Sequence, residues 1–224
     1  MTACLKLLFF CLICATAVMA KKTELATDEN KDFVAGYLAR LLINEVPFPG
    51  ESSYKSVEDS KIAMTQILWV INCRRQLIPA GYRQKQVANV KSNDILDIIT
   101  AGGQCDGFFR DEQGRAAVAP RVEKRFKYLQ LIARQGGKPG KFTTLLNYGK
   151  GLAAAYVEGG IEQADRFAGL SIIKTTLVTG HAYAWMTDKD YYSPGGNFVF
   201  IPDSLSGSLG GNRFYTLKKK VDDK

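Results

Sequence analysis

The sequence predicts an α+β fold that is mainly α, with a small antiparallel β element near the C-terminus. Apolar residues recur at helical spacing in successive segments from Asp32 to Val178. Gly and Pro punctuate the chain between those segments. From His181 onward the chain turns rich in Tyr, Gly and Pro and holds two strand-like runs, Asn197 to Ile201 and Arg213 to Leu217.

Residues 1–20 carry the pattern of a secretory signal peptide. Lys6 is the positive start, Leu7 to Val18 the apolar core, and Val18-Met19-Ala20 a cleavage-like site. The apolar run is short for a membrane-spanning helix, and a retained membrane anchor is the alternative. Residues 21–32 are polar and read as a flexible lead-in to a single domain over 33–220. A secreted or periplasmic location is expected.

In the first helical run Val34, Leu38, Leu41 and Leu42 form one face. It breaks at Ile43-Asn44-Glu45, because Pro47, Pro49 and Gly50 cannot continue a helix. Glu45 therefore sits where a helix meets a loop, a place from which a carboxylate can face a cleft. A lone Glu near a helix end is more often a solvated surface residue. Ser56, Glu58 and Asp59 start the second helix, and Met64, Ile67, Leu68 and Ile71 are its stripe. A turn at Ile78-Pro79-Ala80-Gly81 follows. Ser92-Asn93-Asp94 then caps a short helix bearing Ile95, Leu96, Ile98 and Ile99, stopped by Gly102-Gly103.

Pro120 suits a first helical turn, with Val122, Phe126, Leu129 and Ala133 on one face and Gly136-Gly137 as the stop. Phe142 to Val157 is helical in pattern, although Gly149 and Gly151 weaken it by about 1 kcal/mol each relative to Ala. A last helix is expected from Glu162 to Val178, burying Phe167, Leu170, Ile173 and Leu177.

Once the leader is removed, Cys73 and Cys105 are the cysteines left. In an oxidising compartment they are expected to form a disulfide, the alternative being two buried thiols. Such a bond would close a loop of about 30 residues, worth roughly 3–4 kcal/mol in the chain-entropy account. There is no CxxC and a single histidine, His181, so neither a metal site nor a Ser-His-Asp triad is supported, and no cofactor is expected. The formal charge of +8 favours anionic partners. The basic residues are dispersed apart from Lys218-Lys219-Lys220, which reads as a solvated end, and nothing resembles a nucleic-acid module.

Four motifs in order carry a resemblance. Ile43-Asn44-Glu45 with Gly50-Glu51 and the helix closing on Asn72-Cys73-Arg74 resembles the Tyr-Gly-Glu-Ala-Arg-Gly-Glu opening, and the Asn-Arg helix end, of the spore-cortex-lytic type of bacterial cell-wall hydrolase. The short helix leading to Gln104, with Cys105 in place of an aromatic, is similar to that family's Gln-Phe element. Tyr191-Tyr192-Ser193-Pro194 is similar to its Thr-His-Tyr-Tyr-Asn-Pro, with Lys189-Asp190 in place of Thr-His. Gly210-Gly211-Asn212-Arg213-Phe214-Tyr215 is similar to its closing Ile-Gly-Asn-His-Phe-Tyr.

The resemblance implies a lysozyme-like helical fold and peptidoglycan as substrate, with Glu45 as the catalytic acid. It gives Glu51 a supporting role and sets Gln104, Tyr191, Tyr192 and Tyr215 along the sugar groove. It favours a lytic transglycosylase, in which the substrate's own 6-hydroxyl closes an anhydro ring and no second carboxylate is needed. For a two-carboxylate hydrolase, Glu51, Glu58 and Asp59 are the nearby candidates. A non-catalytic wall-binding or assembly protein on the same fold is the alternative, and a secreted factor unrelated to the wall is a third reading.

Overall fold

A computed structural model describes residues 30–135, 140–169, 181–187, 196–201 and 209–220. The expected leader, most of the lead-in and Tyr191-Tyr192 lie outside the described residues. Residues 30–32, expected as the end of a loose lead-in, already belong to the first helix, α1 (30–44).

The buried centre is α2 (Val57–Gln76), against which α3 (Gln84–Ala88), α4 (Ile95–Thr100) and α6 (Lys141–Ala168) pack. Ser56 caps α2 by accepting from the Asp59 amide. The apolar stripe of α2 is fully buried, and so are the polar side chains between its members. Two of those polar groups bond to α6: Thr65 shares a 2.7 Å hydrogen bond with the Tyr148 hydroxyl, and Asn72 accepts from Tyr156 at 3.1 Å. α5 (Pro120–Gln135) packs on α6 and buries Val122, Phe126 and Leu129.

The sequence separates two helices near residue 160, and the chain does break there. α6 is interrupted at Gly159 (φ −135°) and Gly160 (φ +70°). Gly149, read as a weakness, is instead a close approach: a Cβ there would stand 2.8 Å from Ile43 Cγ1. Its absence lets the end of α1 lie directly on α6. Phe167, expected in a buried stripe, is 45% exposed and leans on Tyr148 with ring centroids 5.5 Å apart. The rest of that expected helix, beyond Gly169, is outside the described residues.

Among the described residues two antiparallel sheets complete the fold, making it mainly helical with a small C-terminal sheet. β3 (Ala184–Thr187), β4 (Phe198–Phe200) and β5 (Asn212–Leu217) form the C-terminal sheet in the order β3-β5-β4. The sequence anticipates β4 and β5 but not β3. It also misses the hairpin of β1 (Phe108–Arg110) and β2 (Ala116–Val118). Asp111 organises that turn, its side chain accepting from the Gln113 and Arg115 amides. No described helix is long and apolar enough to cross a membrane.

The expected disulfide is absent: Cys73 and Cys105 are separate buried thiols. Successive helical residues point about 100° apart. Arg74 is the side chain that reaches Cys105, so its neighbour Cys73 is turned away. Cys73 packs with Val87, Tyr183 and Leu217, whereas Cys105 belongs to the main core. Burial pushes the Cys105 thiol up to about 12. The native protein should therefore alkylate slowly at Cys105. After denaturation without reductant, peptide mass mapping should find both Cys73 and Cys105 alkylated, and finding neither labelled would restore the bridge.

Candidate active site

The site is built on the broken end of α1. The Glu45 amide makes the last helical bond, to the Leu41 carbonyl at 3.1 Å, and Pro47 forbids another turn. The carbonyls left over at a helix end need donors. Arg125, reaching across from α5, supplies them. Its Nη1 donates to the Ile43 carbonyl at 2.9 Å and its Nη2 to the Val46 carbonyl at 3.0 Å. The same guanidinium grips Glu51, with Nε and Nη2 on Oε1 at 3.1 and 3.0 Å and Nη2 on Oε2 at 2.9 Å. Glu51 also accepts from the Phe48 amide at 2.7 Å. Glu51 and Arg125 thus clamp the loop that follows the acid.

A planar fork is required to serve two carbonyls and a carboxylate together. Arg125→Lys keeps the charge but loses the fork. It should cost about 1–2 kcal/mol of stability, since bonds to charged groups are worth roughly that much. Thermal melts would check it, and an unchanged melting point would mean that the clamp contributes nothing.

The Glu45 carboxyl itself is partly buried and held from the C-terminal sheet. Trp185 on β3 donates its indole N–H to Oε2 at 2.9 Å. Asn212 on β5 donates to the Glu45 backbone carbonyl at 2.7 Å and to the Gly210 carbonyl at 3.1 Å. Trp185 pairs with Phe214 and Thr187 with Asn212, so the β3–β5 register brings both tethers to one edge. The Gly210-Gly211 turn seats this edge on the helices, the Gly210 amide donating to Asp59 at 3.0 Å. Beneath lies Arg74, 3% exposed, its guanidinium 5.0 Å from the Trp185 ring centre and its Nε on the Tyr183 carbonyl at 2.7 Å.

Burial raises the Glu45 carboxyl above the ordinary carboxylate range, and the charge of Asp106 acts in the same direction. The hydrogen bonds from Trp185 and Asn44 and the charge of Arg125 oppose it without reversing it. A carboxyl so placed keeps its proton to higher pH than a solvated one.

Two cavity lobes meet at Asn44, Glu45, Arg125 and Thr187. One, about 500 Å³, extends over Glu51, Ser52, Ser53 and the Gly210-Gly211 turn. The other, about 480 Å³, extends over Gln104, Cys105, Asp106, Arg121 and Trp185. The groove thus brings Glu45, Glu51 and Gln104 together. Tyr215, expected along it, is 1% exposed on β5, packed edge-on against Phe200, and lines neither lobe.

Sequence reasoning gave no role to Arg125, Trp185, Asn212, Asp106 or Arg121. Asn212 alone carried a signal, lying within the Gly-Gly-Asn motif. No cluster of His, Cys, Asp and Glu able to hold a metal occurs among the described residues. Comparison of the chain with protein-family models, with curated proteins and with solved structures gives no match.

Proposed function

We propose that this chain cleaves the glycan strand of peptidoglycan, with Glu45 donating a proton to the glycosidic oxygen. One observation carries the reading. Ile43-Asn44-Glu45, Glu51, Gln104 and Gly210-Gly211-Asn212, parts of three of the four motifs that resemble the wall hydrolases, converge around the Glu45 carboxyl between two lobes of a groove. A groove that continues on both sides of the acid suits a polymer laid across it. A carboxyl raised by burial is what a general acid near neutrality requires.

Departure of the leaving sugar exposes an electron-poor anomeric carbon, which either the substrate's own 6-hydroxyl or a water must capture. Both routes begin with the same proton, so both depend on Glu45. Zymography on purified peptidoglycan tests the reading: a cleared band from wild type and none from Glu45→Gln supports it. Binding without a cleared band from wild type would favour the wall-binding alternative.

The pH profile carries a sign. Glu45 acts while protonated, so the rate should fall as pH rises through its elevated pKa. The Trp185 hydrogen bond favours the charged form. Trp185→Phe removes it, raises the pKa further and should move the falling limb to higher pH. A limb that shifts to lower pH would contradict the assignment.

A further inference from the structure

We infer that Asp106 is the second carboxylate of the reaction, the base that activates a water, and that the enzyme therefore hydrolyses the strand. The inference rests on the reading of Glu45 as the acid.

The acids nearest in sequence are all otherwise engaged. Glu51 is gripped by Arg125 and by the Phe48 amide, Asp59 accepts from Gly210, and Glu58 lies on the α2 surface beside Lys61. Among the described residues, the acids other than Glu45 that line the two lobes are Glu51 and Asp106. Asp106 differs from Glu51 in being open. Its side chain is 91% exposed, on the turn between α4 and β1, and one ion pair with Arg121 orients it from α5. Asp106 and Glu45 line the same lobe, of about 480 Å³, and the charge of Asp106 acts on Glu45 in the direction that keeps its proton. A water occupies about 30 Å³, so this lobe has room for one beside a sugar ring. The two environments are opposite in kind, one carboxyl sheltered under an indole and one solvated beside a guanidinium. That is how one site keeps an acid and a base together.

The step balances. The Glu45 proton passes to the glycosidic oxygen as the bond from the anomeric carbon to that oxygen breaks. The water oxygen bonds to the anomeric carbon, and its proton goes to Asp106. The products are a reducing-end sugar and a free hydroxyl, with one water consumed. Solvent then returns the proton from Asp106 to Glu45.

The test is mass spectrometry of purified peptidoglycan digested by the full chain, together with rates for Asp106→Asn and Asp106→Ala. Reducing ends are expected from wild type, with at least a ~10²-fold slower rate in Asp106→Asn. Azide, a nucleophile that needs no deprotonation, should partly restore Asp106→Ala and yield a glycosyl azide. Anhydro ends from wild type would overturn the inference while leaving Glu45 as the acid, because the 6-hydroxyl would then be the acceptor. Reducing ends with Asp106→Asn at wild-type rate would overturn it too. If wild type cleaves nothing, the reading of Glu45 fails and Asp106 falls with it.

Discussion

Glu45→Gln is expected to lower the rate of strand cleavage by at least ~10²-fold while leaving the protein folded. The amide has the carboxyl's size, and its oxygen still accepts from Trp185, but it has no proton acidic enough to give away. Stability should move the other way. The folded carboxyl binds its proton more tightly than the unfolded one, because burial penalises the charge. Any stability it contributes is therefore full below the unfolded pKa and is lost as pH rises through the folded pKa. Above that window the native protein carries a sheltered charge that Gln lacks. Glu45→Gln should melt higher than wild type at neutral and alkaline pH, and the gain should vanish in acid. Full activity in this variant would remove Glu45 from the chemistry. A variant that is inactive and also melts lower would point to a structural role for the carboxylate.

Gly210→Ala is expected to have the largest effect on stability. Gly210 has φ +51°, and a Cβ there would stand 2.4 Å from Ala63 Cβ and 3.3 Å from the Asp59 carbonyl. Ala63 is fully buried in α2 and has no rotamer with which to retreat. Left-handed Ala costs roughly 1–2 kcal/mol, and overpacking adds roughly 1–3 kcal/mol. For a chain of this size that is a fall on the order of 10 °C in Tm. Activity should fall as well, since the turn carries Asn212, which holds the Glu45 carbonyl. Gly114→Ala is the control. Gly114 also has positive φ, +74°, but nothing lies within 4 Å of its Cβ position, so only the backbone cost applies. Equal melting points for the two variants would mean that the turn does not press on α2.

The parts of the fold that sequence reveals are those whose causes are local. The stripe of α2, its Ser56 cap, the break of α1 before Pro47 and the interruption at Gly159-Gly160 all follow from residues within a turn or two of the feature. The position of Glu45 at a helix end was legible for the same reason. The β1–β2 hairpin was hidden because three-residue strands hold too little alternation to register, and its turn is charged. The disulfide expectation failed on direction. Cys73 and Arg74 are neighbours in sequence, yet only one of them can face Cys105. Trp185 and Arg125 lacked any local sign, since a tryptophan in a strand and an arginine on an amphipathic helix are ordinary until the chain folds back. Their targets lie 140 and 82 positions away.

Glu45 is made early in the chain, and its tethers are made late. Once synthesis has passed Ala168, all of the helices described above exist, but Trp185 does not, nor does Asn212, 167 positions beyond the acid. The helical body can condense at that stage, because α2, α4, α5 and α6 bury their apolar faces against one another. Pairing of β5 with β3 is the non-local event that closes the site, and such pairings form slowly. Assembly of the candidate site is thereby tied to the last quarter of the chain: a polypeptide clipped before β3 keeps Glu45 and the Arg125 clamp but lacks Trp185 and Asn212.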